Sequence, residues 1–405
     1  RSQLERFEPG SYEGFERYLD EGRHHYSRAM AGFIRQDFRR VADLMSVGNL
    51  SAMVELRLLL RHYAHVGQFF SSPRLRAAFT FQDLYVGLDP AVAPATFSLI
   101  PFSELTHGVW FPRGGMYRIV EALAAVAEAR GVEFRVGHEV EAIETRGSRV
   151  VGVRLESGTV LKADVVLANA DLSYVLEELL PRAPLNRIRP RRPLSFSSVS
   201  FFWALDRELE GLSTHNLFLS NDYTDGFREM ARGRSIPDTP CVYIHAPSRV
   251  DPNMAPNGCD TVVAIVPAAH LRNEAATDWV SVRDGAREAV MASLALLGAE
   301  RVRESIKKEI SFLPSSWRRR YHLAGGAIHG LGHQLFQLGA FRPHNRHWRY
   351  HNLYFAGAST HPGSGVPTAL VSGRLAAERI MEGHGSSPAR AHSGGPLPPS
   401  PPPAS

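Results

Sequence analysis

The sequence is short of several things, and each shortage removes a class of protein. Only two cysteines, Cys241 and Cys259, occur in 405 residues, too few for a disulfide scaffold and at a spacing that matches no zinc motif. A reducing compartment is therefore expected. No window approaches the eighteen or more consecutive apolar residues of a membrane-spanning helix, and charges run through the first thirty residues. Neither a bilayer span nor a signal peptide is read from it. The G-x-G-x-x-G dinucleotide fingerprint is also missing. Its nearest approach, Gly330-Leu331-Gly332-His333-Gln334-Leu335, lacks the third glycine, a preceding strand and an acidic residue about twenty positions on, so we set it aside as a cofactor loop. Acidic residues are absent altogether between Glu309 and Glu378.

What is present describes a globular chain. Hydrophobic residues make up 44% and charged residues 21%, which excludes dominant disorder, collagen and coiled coil and leaves enough apolar material for about two domains. The acid-free stretch holds seven arginines and seven histidines. Its formal charge of +7, against +5 for the whole chain, leaves the remainder at −2. An anionic ligand, a phosphate surface or nucleic acid is the natural partner of such a segment. Nucleic acid fits worst, because the stretch contains no lysine, is interrupted by an apolar strand and a glycine loop, and carries no binding motif.

Apolar spacing predicts helices over residues 14–37, 51–70 and 74–85. After the break at Trp110-Phe111-Pro112-Arg113-Gly114-Gly115, a helix over 116–127 is expected, stopped by Gly131. A strand at 132–136 follows, then a meander at 140–145, 150–155 and 159–161 with Ser157-Gly158 turning its last hairpin, and a buried strand at 164–168. Strands at 196–205, 215–219, 241–246, 261–267 and 307–313 and a helix at 282–297 read as an α+β unit inserted between two pieces of an α/β domain. Past Ile380 the composition collapses to Gly, Ser and Pro, which reads as a disordered tail.

The chemistry-bearing motif lies late in the chain. Asn352-Leu353-Tyr354-Phe355 reads as a strand. The small residues Ala356, Gly357, Ala358, Ser359 and Thr360, then His361, Pro362, Gly363, Ser364 and Gly365, lead to Val366 and a helix expected to start near Pro367. A helix start has backbone N–H groups without internal partners and a dipole that favours negative charge. Glycines let a ligand approach the backbone, so a phosphate is the expected guest. An ordinary β-loop-α connection fits the same spacing equally well.

These residues resemble the carotenoid desaturase (phytoene dehydrogenase) family of flavoproteins, within the flavin-containing amine oxidase-like superfamily, and most closely its fungal-type branch. The matching stretches are residues 104–115, Pro247-Ser248-Arg249-Val250-Asp251-Pro252, Phe341-Arg342-Pro343-His344-Asn345-Arg346 and residues 352–367. The resemblance implies an α/β fold: a split FAD-binding Rossmann-like domain whose N-terminal β-α-β unit, with its glycine fingerprint, would precede Arg1, and an inserted α+β substrate domain. It implies a helical, membrane-facing part at 1–107, FAD-binding parts at 108–180 and 314–382, a substrate sheet at 181–313 and a disordered tail at 383–405. It further implies an FAD-dependent desaturase of carotenoid precursors such as phytoene, a hydrophobic polyene substrate, and a peripheral position on the cytoplasmic side of a membrane. Cofactor contacts implied by the same resemblance are Val140, the crossover loop Asn169, Ala170 and Asp171, the re-entry point Arg113, Gly114 and Gly115, and Gly357, Ala358, Ser359, Thr360, His361, Pro362, Gly363, Gly365, Val366 and Pro367. A polyene isomerase or oxygenase on the same fold, or an isoprenoid-binding escort without flavin, are the alternatives; fold alone does not separate them.

Dehydrogenation of a carbon pair releases a hydride, which a flavin takes, and a proton. His361 is the first candidate for the proton because imidazole titrates near neutrality, though a packing role explains it as well. Arg342, His344 and Arg346 suit phosphates or lipid headgroups, and equally suit a simply solvated surface. His344, His347 and His351 have the spacing of a metal cluster, but Pro343 and the absent carboxylates argue against one, and no metal is expected.

Overall fold

The computed structural model describes residues 1–181, 192–221, 223–271 and 277–383. Helix Ser11–Ala29, continued by a π-helical turn Met30–Ile34, opens the chain. Tyr18 on its inner face is 1% exposed and meets the rings of Phe69, Phe70 and Phe79. Gly14 is required there, because a Cβ would lie 2.2 Å from the Phe69 carbonyl oxygen. The single helix expected at 51–70 is instead two short ones, Val47–Glu55 and His62–Val66. Arg57, between them, has φ +49° and turns its guanidinium onto Glu21. Glu21, His25 and His65 gather under this bend, with both imidazoles buried.

The meander forms as expected. Strands β1 (Val140–Arg146), β2 (Arg149–Leu155) and β3 (Val160–Lys162) make an antiparallel sheet in sequence order. A second, parallel pair joins β4 (Val166–Ala168) to the strand Leu353–Phe355, Val166 facing Leu353 and Ala168 facing Phe355. Asn352 joins the two sheets: its Oδ1 accepts from the Val150 N–H (2.8 Å) and its Nδ2 donates to the carbonyls of Val150 and Asp164, both at 2.7 Å.

The strand expected at 132–136 does not form. Val132, Phe134 and Val136 are about half exposed or more, and no strand among the described residues lies beside them to pair with. Helix Tyr117–Glu128 forms but buries nothing: Tyr117, Val120, Leu123 and Val126 are all at least half exposed. The period-2 and period-3.6 patterns were real; their packing partner is not among the described residues.

The five-stranded sheet is the best-packed part. Five antiparallel strands, β5 (Ser197–Leu205), β6 (His215–Phe218), β7 (Val242–His245), β8 (Asp260–Ala268) and β9 (Ile306–Phe312), lie in the order β6-β7-β8-β5-β9. Alternate residues Val199, Phe201 and Trp203 of β5 and Val262, Ala264 and Val266 of β8 face one core, which helix Trp279–Ala295 closes with Ala286, Val290 and Leu294. Asp278 caps that helix, accepting from the N–H groups of Val280 and Ser281. The tail expected at 383–405 lies outside the described residues apart from Gly383, the last residue of helix Val366–Gly383.

The buried histidines of the helical part give this fold an acid limit. Burial pushes His25 down to about 4 and His65 down to about 3, so the unfolded chain takes up their protons near pH 6.5 while the folded chain does not. Stability is then complete above about pH 6.5 and falls as pH drops toward 4, by up to about 1.4 kcal/mol per pH unit for each histidine. Urea unfolding at pH 7 and pH 5 measures this loss. A His25→Gln, His65→Gln double variant is expected to lose less on acidification, and an unchanged pH slope in that variant would refute the assignment.

Candidate functional site

The glycine-rich loop is held from two sides. On the side of β4, Asn169 Nδ2 donates to the Ala356 carbonyl (2.9 Å), and Ser359 Oγ donates to Asp171 Oδ2 (2.9 Å) while receiving the Leu331 N–H. On the other side Arg342, 1% exposed, has no carboxylate partner. Its Nε donates to the Thr360 carbonyl, Nη1 to those of Gly332 and Gln337, and Nη2 to those of Leu331 and Ala358. Burial pulls its guanidinium down to about 9, which still leaves a cation at neutral pH. Asn345 adds bonds to the carbonyls of Phe355 and His361 and to Ser372 Oγ.

The glycines serve this packing. Gly363, at φ +146°, has no room for a side chain, because a Cβ would lie 2.8 Å from His333 Nε2. Gly330, at φ +67°, lies so close to Ser359 that a Cβ would sit 2.1 Å from its Oγ. The stretch set aside as a cofactor loop therefore supports the glycine-rich loop. His333 accepts the Ser364 N–H at Nε2 (3.0 Å).

Two cavities meet at this support. A small cleft of about 90 Å³ lies between residues 169–171 and 358–360, with Ile328 and Gly330 in its floor. Six of the expected cofactor residues line it: Asn169, Ala170, Asp171, Ala358, Ser359 and Thr360. Next to it is a larger cavity of about 330 Å³, walled mainly by apolar residues such as Phe81, Leu84, Phe196, Leu217 and Ile265. Ile328 lines both, His329 lines the apolar cavity, and Gly330 lines the cleft. One strip of three residues separates two chemically different spaces. Sequence reasoning missed Ile328 and His329 entirely; the Gly330-x-Gly332 pair beside them was the available signal.

Other expected residues lie elsewhere. Gly365, Val366 and Pro367 are exposed at the start of the last helix. Val140 sits at the beginning of β1. Gly114 and Gly115, both at positive φ, follow Arg113 in a turn held by Asp251, whose Oδ2 accepts the Gly114 N–H at 2.6 Å; two of the matching motifs thus meet in space. His361 lines neither cavity. Its Nε2 is 2.9 Å from the Gln36 carbonyl and its ring meets Phe38 edge-on, a packing geometry, and burial pushes it down to about 4.

The basic excess does not converge on the small cleft, which contains no arginine. Arg318, Arg319 and Arg320 are exposed, and Arg374 pairs with Glu378. Arg342, His344 and Arg346 instead border a third cleft of about 320 Å³ together with Arg192 and His347. The three histidines of the metal spacing take separate partners: His344 Nδ1 the Phe38 carbonyl, His347 Nδ1 the N–H groups of Arg349 and Tyr350, and His351 stands exposed. Among the described residues, Glu21, His25 and His65 do bring three ligand-type atoms within 4.8 Å, but Arg57 Nε already sits 2.7 Å from the Glu21 carboxylate.

A dinucleotide edge fits the small cleft. Its walls combine small residues with Leu172, Leu323, Ile328 and Phe355, and its one carboxylate, Asp171, is committed to Ser359 and to the N–H groups of Ser173 and Tyr174, so it leaves no bare acid against a diphosphate.

Comparison with known proteins agrees. The family described as flavin containing amine oxidoreductase matches residues 2–381. The chain is 39% identical over 381 residues to the zeta-carotene-forming phytoene desaturase of Myxococcus xanthus, covering 94% of this chain and 73% of that one. It is 37% identical to the phytoene desaturase of Neurospora crassa, covering 91% of this chain and 65% of that one. The chain thus spans about two thirds to three quarters of the length of these relatives. Among solved structures, a redesigned putrescine oxidase superposes with a TM-score of 0.60 at 12% identity, over 93% of this chain and 76% of its own, a likeness of fold alone. The chain belongs to the flavin-containing amine oxidoreductases and, among them, to the carotenoid desaturase family, with an α/β FAD-binding fold and FAD as cofactor.

Proposed function

We propose that the protein desaturates a carotenoid precursor such as phytoene, introducing conjugated double bonds into an isoprenoid hydrocarbon. The observation that carries this reading is the strip at residues 328–330, which sets an apolar cavity directly against the cofactor cleft. FAD, when bound, supplies the two-electron oxidant. The chain's own part is to bind and orient. Phe81, Phe196 and Leu217 exclude water from the hydrocarbon, and Ile328 fixes its distance from the cleft. An escort protein would need the apolar cavity but not the cleft beside it.

The exposed apolar face left by helix Tyr117–Glu128, residues 132–136 and Leu167 of β4 (43% exposed) supports a further β-α-β unit that completes the parallel sheet and brings the main pyrophosphate contacts. In this reading residues 108–180 and 314–382 form the FAD-binding domain, 181–313 the inserted substrate domain and 1–107 its membrane-facing helical part. Among the described residues no helix is long and apolar enough to cross a membrane. A peripheral position is supported by Leu105, Val109 and Trp110, which are 53%, 65% and 72% exposed. They follow Glu104, which interacts with Tyr85 on the wall of the apolar cavity, so a bilayer surface there would feed the cavity.

Bound-flavin absorbance and conversion of phytoene to a coloured polyene in liposomes test the assignment. Flavin binding without any chromophore would sink the desaturase reading and leave the fold untouched. Replacing Leu105 and Trp110 together by glutamate is expected to lower liposome binding about tenfold or more with flavin content unchanged, measured by vesicle co-sedimentation. Arg342→Met, which strands buried carbonyls on both sides of the loop, is expected to cost more than about 4 kcal/mol and to abolish flavin retention; a stable, yellow variant would contradict the role given to Arg342.

A further inference from the structure

The apolar cavity contains few groups able to handle the proton that desaturation releases. Among its lining residues the ionisable side chains are Tyr85, Cys241, Tyr243 and His329. Burial raises Tyr85, raises Cys241 and pushes Tyr243 up to about 12, so all three keep their own protons and cannot serve as bases. His329 differs in position as well as chemistry. It stands in the strip shared with the cofactor cleft, between Ile328 and Gly330. Its ring is seated rather than loose: Nδ1 lies 3.5 Å from Ser364 Oγ on the glycine-rich loop, and a Cβ on Gly87 would approach its Cδ2 to 3.0 Å. Its backbone N–H is held by Ser195 Oγ at 3.2 Å. Ser364 is fixed in turn by the bond from its N–H to His333.

Resting on the desaturase reading, we propose that His329 is the catalytic proton acceptor and that Ser364 is its positioning residue. A saturated carbon pair loses a hydride from one carbon to FAD, the oxidant, which leaves that carbon electron-poor. The C–H bond of the neighbouring carbon then breaks, its electron pair becomes the new π bond, and the proton passes to the free lone pair of His329. A proton beside a cationic carbon is acidic enough for a weak base to take it. With Nδ1–H donating to the Ser364 hydroxyl in both the neutral ring and the imidazolium, the lone pair that takes the proton is held on Nε2. Burial pushes His329 down to about 4, which keeps the ring neutral before reaction and drives the proton off afterwards.

The test uses the whole flavin-loaded protein with phytoene in liposomes. His329→Gln is expected to keep its flavin absorbance and to hold KM within about twofold, while kcat falls about a hundredfold. In the same variant the deuterium isotope effect should rise when the proton-losing carbon is labelled, because that step becomes limiting. Ser364→Ala is expected to lose about tenfold in kcat in the same direction. A readout without turnover accompanies them: in the flavin-free wild type, the ¹⁵N imidazole signal absent from His329→Gln should shift when phytoene is added. Retention of kcat within about threefold in His329→Gln, or an imidazole signal indifferent to phytoene, overturns the assignment; if His329→Gln folds poorly, His329→Asn identifies the signal instead. A flavin-loaded wild type that makes no chromophore overturns the desaturase reading instead, and flavin and imidazole signals, read separately, distinguish the two failures.

Discussion

The site depends on one buried cation with no anion beside it. Arg342 is sealed from solvent and satisfied entirely by main-chain carbonyls, those of Leu331, Gly332 and Gln337 on one segment and of Ala358 and Thr360 on another. A buried charge without hydrogen bonds would cost far more than a domain's margin of stability; with its donors spread over five carbonyls it becomes a template that admits one arrangement of both segments. A carboxylate partner would have removed the need for those carbonyls. The acid-free run from 310 to 377 places no carboxylate on either segment that Arg342 bridges.

That arrangement has a direct consequence for the two cavities. With the glycine-rich loop fixed to segment 331–337, the residues just before it, 328–330, are forced to run between the loop and the inserted sheet. Ser359 then binds the Leu331 N–H, His333 binds the Ser364 N–H, and Ser195, just before β5, binds the His329 N–H. The sheet brings Phe196, Val242 and Ile265 to the far side of the same strip. The small cleft and the apolar cavity are thereby placed on either side of one short strip.

Much of this was legible in the sequence and some of it could not have been. Alternation along residues 196–205 and 261–267 announced strands whose buried faces pack as read, because a sheet core is specified residue by residue. The loop at 356–367 was recognised from its small residues, and six of the residues assigned to the cofactor do meet at one cleft. The packing at Gly363 and at Gly330 outside the loop is not legible in the sequence, since the neighbours that forbid a Cβ there, His333 and Ser359, are brought by tertiary contact. His361 drew attention because it lies in the motif, whereas His329 lies outside any motif. Arg342 looked like a ligand for phosphate because carbonyl acceptors leave no trace in a sequence.

The same reasoning explains why one half of the molecule is better closed than the other. In the five-stranded sheet every central strand has two neighbours, and its core residues are essentially without exposure. The parallel sheet has two strands of three residues each, too little pairing to hold together by itself. It persists because Asn352 bonds it to the meander and Asn169 to the loop, so side-chain amides stand where further strands would otherwise provide backbone bonds. Residues 132–136, whose sequence alternates too, have no such amide and no neighbouring strand among the described residues, and stay irregular. Strand formation here is decided by what lies alongside.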